Sequence, residues 1–315
     1  MGLFDIFKKK PQKINVDVSY SSKEIKVEKE IPPFQWDYAK TVFLDSFYKR
    51  PLSKNWNFAL YFETHLGIAD TNAYRKQMLD EGYLRIATNE EKLIGLKVTE
   101  LKEILKSNSL TITGKKEDLI QRIVDNLPDS SYGKYVQGEF YILTEIGEKY
   151  VDEHSDLVLL NKHRNWMISY NEYQKEAKPG RSFYDVCWAI FNQRVLTSNM
   201  ATARTAYYNM YEILVEEKKY EYAVETLLRV LYIDMCGTLG DGMSFIAPGL
   251  IDDLKKYKKY YKPDVIDKIY DWKVPHRYCR KEVFIQIIES VINGKFNFEK
   301  ASSLLNEELE RREKV

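Results

Sequence analysis

Residues 93–127, LIGLKVTELKEILKSNSLTITGKKEDLIQRIVDNL, spell two short amphipathic helices joined by a tight loop. Thr99 is placed to cap the first helix, and Glu100 in its first turn suits the positive end of the helix dipole. Leu101, Ile104 and Leu105 repeat at helical spacing and give one apolar face. In the second helix Leu119, Ile120, Ile123 and Leu127 face back onto that stripe, with Leu110 and Ile112 filling the space between. A unit of roughly 35 residues has a marginal core and leans on a host domain. These apolar positions are structural whatever the unit binds.

The chemistry sits at Gly114-Lys115-Lys116, which opens the second helix with Thr113 as the expected cap. A helix N-terminus leaves backbone N–H groups unpaired, and its dipole favours an anion. Gly114 permits close approach, two lysines add mobile positive charge, and Arg122 lies two turns along. The stretch closely resembles the SAP motif, a helix-extension-helix module associated with duplex DNA. The resemblance implies DNA contacts at Lys97, Thr113, Gly114, Lys115, Lys116 and Arg122. Two positions depart from the pattern: Ser109 stands where glycine is usual, and Thr111 where proline is common. The competing reading is that Glu117 and Asp118 already satisfy the helix start and leave the lysines merely solvated. The module's charges nearly cancel, so binding by it alone is expected to be weak and indifferent to base sequence.

The flanks carry their own pattern. Trp56–His65 and Asp70–Glu81 read as helices, the second capped by Asp70 or Thr71, and Gly82 ends it. Tyr83–Ala87 alternates like a strand, Phe140–Leu143 reads as another, and Thr144 caps a helix that follows. Helix, "DEGYLRIA" and a return "FYILTEIGEKYV" resemble the wing of a winged-helix domain. That resemblance implies a domain over 34–160 with the SAP-like module inserted at the wing tip, where insertions are tolerated. It also makes the helix bearing Asn72, Tyr74, Arg75, Lys76 and Gln77 a candidate for groove contacts. Many such domains serve only protein interaction, and Asp70, Asp80 and Glu81 share this helix.

From about Asn161 the pattern is almost wholly helical, with Phe183–Leu196, Ala201–Glu217 and Tyr220–Met235 the best-defined helices. The last two resemble one tetratricopeptide-type hairpin, with no second copy at the ~34-residue period. Residues 161–315 are therefore expected to form an all-α helical-bundle domain able to hold a protein partner or a second copy of the chain. Within it, residues 252–281 set ten basic residues against five aspartates, interleaved with tyrosines. Lys255, Lys256, Lys258 and Lys259 make a secondary nucleic-acid patch, if the tyrosines face outward for stacking. The ordinary alternative is a solvated face with tyrosines turned inward. The segment GTLGDG at 237–242 lacks the P-loop lysine and reads as a loop.

The whole chain narrows the function class. Net charge is +1 over 315 residues, so a nucleic-acid surface has to be local. No apolar run approaches the ~20 residues of a membrane span, and no signal-peptide pattern opens the chain. Cys187, Cys236 and Cys279 are too far apart for a zinc ribbon and suit reduced core thiols in a cytoplasmic protein. The 24 tyrosines suit half-buried helix packing. His65, His154, His163 and His276 are scattered, and no nucleophile elbow, Cys–His signature or two-metal carboxylate motif occurs. No catalysis, metal or cofactor is expected. Residues 1–33 read as a flexible segment whose opening, MGLFDIFKKK, is similar in style to small bacterial prophage proteins. The chain is thus expected to be mainly α: a winged-helix-like domain carrying a SAP-like module, then a helical-bundle domain. The expected function is non-enzymatic binding of double-stranded DNA, the alternative being a scaffold that binds only proteins.

Overall fold

The computed structural model describes residues 35–237, 244–270 and 279–313. The expected flexible segment 1–33, most of GTLGDG, His276 and the basic residues Lys273 and Arg277 lie outside the described residues. The described chain is mainly α, with one small sheet. Its first part runs α1 (Trp36–Asp45), β1 (Leu52–Ser53), α2 (Tyr61–Thr64), α3 (Thr71–Asp80) and β2 (Leu84–Ile86). After a long insertion come β3 (Phe140–Leu143), then two helices over Glu145–Glu153 and Ser155–Lys162.

The sheet is antiparallel in the order β1-β3-β2, with β3 central. Leu52 pairs with Tyr141, and Leu84 with Leu143. β3 sits in the middle because its burial is nearly continuous, whereas Arg85 and Ile86 of β2 face solvent. Phe43 centres the core beneath, with the rings of Phe58 and Tyr74 each 5.0 Å away. Asp70 caps α3 by accepting from the amides of Asn72 and Ala73. The helix expected over Trp56–His65 shrinks to α2. Ser53 Oγ accepts the amide of Asn55, a local bond that competes with helix start, and Phe58 packs against Phe43 instead. A side chain at Gly147 would meet the Tyr83 carbonyl at 2.3 Å, so glycine there lets the following helix lie against the end of β2.

The insertion, residues 87–139, holds α4 (Asn89–Lys92), α5 (Val98–Ser107), α6 (Lys116–Asn126) and α7 (Asp129–Tyr132). It buries a separate cluster: Leu93, Leu101, Ile104, Leu105, Leu119, Ile123, Tyr132 and Val136. Tyr132 and Val136 extend this unit beyond the expected end at 127. Pro128 ends α6, and the chain then folds back to close the core with a tyrosine. Both ends of the insertion are clasped. Arg85 holds Glu91 through two bonds of 2.6 and 2.7 Å, and Lys92 Nζ donates to the Gly138 carbonyl at 2.9 Å. The Arg85 guanidinium, aided by hydrogen bonds from Thr88, holds the Glu91 carboxyl down to about 2.

The helices after β3 are α8 (Glu145–Glu153), α9 (Ser155–Lys162), α10 (Tyr170–Glu176), α11 (Phe183–Thr197), α12 (Met200–Glu216) and α13 (Tyr220–Met235). They are followed by α14 (Pro248–Tyr257), α15 (Asp264–Tyr270), α16 (Lys281–Ile292) and α17 (Phe298–Glu313). α9 spans the expected boundary at 160/161 and serves both sides. Val158 packs on the first core, while Leu157 and Leu160 join Trp166, Phe183 and Phe191 in the next. Tyr38 of α1 stacks on Tyr170 at 5.4 Å, so the halves meet through side chains. α12 and α13 form an antiparallel hairpin turning at Lys218, whose φ is 61°. Beneath them Arg204 reaches the fully buried Asp234 at 2.7 Å. No described helix is long and apolar enough to cross a membrane.

Candidate nucleic-acid interface

The loop between α5 and α6 is where the module's geometry is set. α5 ends in a Schellman turn: the amide of Leu110 donates to the Leu105 carbonyl at 2.9 Å, and that of Ser109 to Lys106 at 3.1 Å. Ser109 takes the left-handed conformation, φ 58°, which glycine adopts without strain and serine does not. The extension of residues 108–115 then has about 26 Å of reach, more than the ~15 Å length of ten-residue α5. That is enough reach for the chain to return along α5 before α6 begins.

Three contacts hold that return path. Arg122 Nη1 donates to the carbonyls of Thr111 and Thr113, at 2.6 and 3.0 Å. Lys116 Nζ donates to the Ile94 carbonyl at 2.7 Å, tying the first residue of α6 to the turn leading into α5. Both helix N-termini consequently open at the same end of the module. Gly114 has φ 124°, and a Cβ there would lie 2.9 Å from that of Asp118. Glycine is needed for the chain to turn into α6 over the Asp118 carboxylate.

Both helices start differently from expectation. α5 is N-capped by Lys97 rather than Thr99, and α6 by Lys115 rather than Thr113. In each, the carboxylate three residues on accepts the cap residue's amide: Glu100 from Lys97 at 2.6 Å, Asp118 from Lys115 at 2.8 Å. At α5 the Lys-x-x-Glu spacing is the overlooked signal; at α6 Asp118 meets the helix start, as the competing reading of the sequence has it. Each carboxylate takes one donor and leaves the first-turn amides of Val98 and Thr99, and of Lys116 and Glu117, beyond reach of an intrahelical carbonyl.

The expected contact residues thus divide. Lys97 and Lys115 are exposed, one at each helix start, and no described carboxylate pairs with either. Thr113 and Gly114 are exposed in the extension beside them. Lys116 and Arg122 are half-buried, and their charged groups are taken up by backbone carbonyls. Those two shape the site. Lys102 and Lys106 add exposed charge along α5.

The secondary patch separates differently. Lys255, Lys256, Lys258 and Lys259 are all exposed. The aromatic partners point inward: Tyr257 is buried and stacks on Tyr220 at 5.2 Å, and Tyr260 and Tyr261 pack against the same core. Lys255 is further paired with Asp252. Charge is present there, but the described tyrosines Tyr257, Tyr260 and Tyr261 are engaged with the core. Of the candidate groove helix, Arg75 is buried against the domain instead of projecting into solvent. Cys187 is a core thiol whose burial pushes its pKa up to about 12. Among the described residues no group of three or more histidine, cysteine, aspartate or glutamate side chains is placed to hold a metal.

Residues 95–128 match the SAP domain family, whose members are generally DNA-binding modules. The match covers the inserted module and not its host. No curated protein and no solved structure matches the chain.

Proposed function

We propose that the protein binds duplex DNA by its phosphate backbone, through the adjacent N-termini of α5 and α6. The observation that carries this reading is the pairing of exposed Lys97 and Lys115, without a carboxylate partner among the described residues, with two sets of first-turn amides that no intrahelical carbonyl reaches, in a SAP-matching module. Amides and ammonium groups at such a site bind phosphate oxygens without reading bases. With only two or three phosphate contacts the affinity is expected at the weak end of non-specific DNA binding, a dissociation constant on the order of 10⁻⁴ M.

The host domain supports the reading by its order of elements. Helix, strand, two helices, strand, insertion and strand, with the first strand beside the last, is the plan expected of a winged helix, and the module then extends the wing. Arg85 of β2 ties Glu91 to the host, and the bond from Lys92 to the Gly138 carbonyl draws the two ends of the insertion together. On this reading the chain is a non-enzymatic, cytoplasmic DNA binder. Its helical second half, with the hairpin of α12 and α13, holds a protein partner or another copy of itself. One observation favours the scaffold alternative: Ile94, Val98 and Ile112 of the module are exposed, at 37%, 40% and 41%. Such side chains suit a protein surface better than a phosphate backbone.

Fluorescence anisotropy with a labelled duplex of mixed sequence separates the two. Raising salt from 50 to 200 mM is expected to weaken binding roughly tenfold to fortyfold, and equally for unrelated sequences. Absence of binding at 50 mM salt rejects the proposal and leaves the scaffold reading.

A further inference from the structure

A cleft of about 620 Å³ opens between the loop after β1 and α3, well within the size range of small-ligand sites. One wall carries Lys54, Asn55, Trp56 and Asn57; the other carries Asn72 and Lys76. Arg75 and Tyr141 also line it. Arg75 is 95% buried by its 5% exposure, and its Nη1 is sealed from solvent with no hydrogen-bond partner. Its Nη2 donates to Asn72 Oδ1 at 2.6 Å, and the guanidinium lies 5.0 Å from the centre of the Tyr141 ring. A buried guanidinium with an unmet donor is costly unless an acceptor completes it. Here no described residue does.

The surrounding charge points the same way. Lys54 and Lys76 flank Arg75, and both are exposed. The nearby carboxylate, Glu139, is already shared between Lys54 at 3.5 Å and the Tyr141 hydroxyl. The cleft thus has surplus positive charge around a buried guanidinium, which fits a phosphate. Trp56 is 47% exposed at the rim, an indole offered to solvent beside three asparagine amides. An exposed indole has the flat face that stacks a base, and asparagine amides pair with base edges.

We propose that this cleft binds a nucleotide, with its phosphate at Arg75 between Lys54 and Lys76 and its base stacked on Trp56. The phosphate oxygens offset the surplus charge of Lys54, Lys76 and the Arg75 guanidinium that lines the cleft. The site is independent of the inserted module, so it stands or falls apart from duplex binding.

The test is titration of the full chain with three probes: inorganic phosphate, deoxyadenosine monophosphate and a labelled dA10 strand. Trp56→Ala and Lys76→Glu, both at exposed positions, keep the fold and are read by circular dichroism. Trp56→Ala is expected to weaken the monophosphate and dA10 by about tenfold, the value of one lost base stack, and to leave inorganic phosphate unchanged. Lys76→Glu weakens all three. Arg75→Lys does the same if it folds, and the other two variants decide the matter if it does not. Tighter binding of dA10 than of the monophosphate identifies an unpaired strand as the source, and equal binding identifies a free nucleotide. The proposal is overturned if neither nucleotide probe binds. It is equally overturned if Trp56→Ala and Lys76→Glu bind them as the wild type does, or if inorganic phosphate binds as tightly as the monophosphate.

Discussion

Exchanging Lys97 and Lys115 together for glutamate is expected to weaken duplex binding at least about thirtyfold at 0.15 M salt. Each phosphate contact releases close to one counterion, so losing two costs about 1.5 decades at that ionic strength. Repulsion from the new carboxylates adds to the loss. The slope of log affinity against log salt should fall by about 2. Stability should stay within roughly 0.5 kcal/mol, because both side chains are exposed and only their backbone amides take part in capping. Anisotropy and thermal melting of the same variant check both halves. Binding that survives the exchange would move the DNA surface away from the helix starts. Lys116→Glu is a poorer probe, since it also removes the bond to the Ile94 carbonyl that positions α6.

The second large effect is on stability. Ile104→Ala should cost the module about 2–5 kcal/mol, as deletion of buried branched side chains does. Ile104 is completely buried in a small cluster that shares no residue with the cluster around Phe43. A core of this size holds only a few kcal/mol in reserve. The module should therefore unfold locally while the host remains intact. Hydrogen exchange is expected to become fast over 98–126 and stay slow in α1 and β3, with duplex binding lost in parallel. Uniform loss of protection across the host as well would mean that the two cores melt as one.

Legibility in the sequence followed what each element depends on. The helices of the module were readable because Leu101, Ile104, Leu105, Leu119 and Ile123 repeat at helical spacing, and all five are buried. β2 is readable from alternation and β3 from its apolar run, with Gly82 and Thr144 marking their ends; Thr144 does cap α8 by accepting from the Gly147 amide. β1 was not, because two residues make no pattern and Leu52 is recruited by its partner Tyr141. Tyr132 and Val136 were missed because a core closed by returning chain has no local periodicity.

At the candidate site, the sequence singles out the loop but does not rank its cations. Lys115, Lys116 and Arg122 look alike as letters. What distinguishes them is whether a backbone carbonyl lies within reach, and the carbonyls of Ile94, Thr111 and Thr113 are brought there only by the folded extension. Arg75 misled in the same way. Its burial follows from lying one helical turn before the buried Met78, on the inward face of α3.

The most direct measurement is a duplex titration of the isotope-labelled full chain, followed by amide chemical shifts. Shifts are expected to concentrate at Val98 and Thr99 and at Gly114 through Glu117, saturating together. Unmoved amides at these two helix starts, with duplex bound elsewhere or not at all, would contradict it.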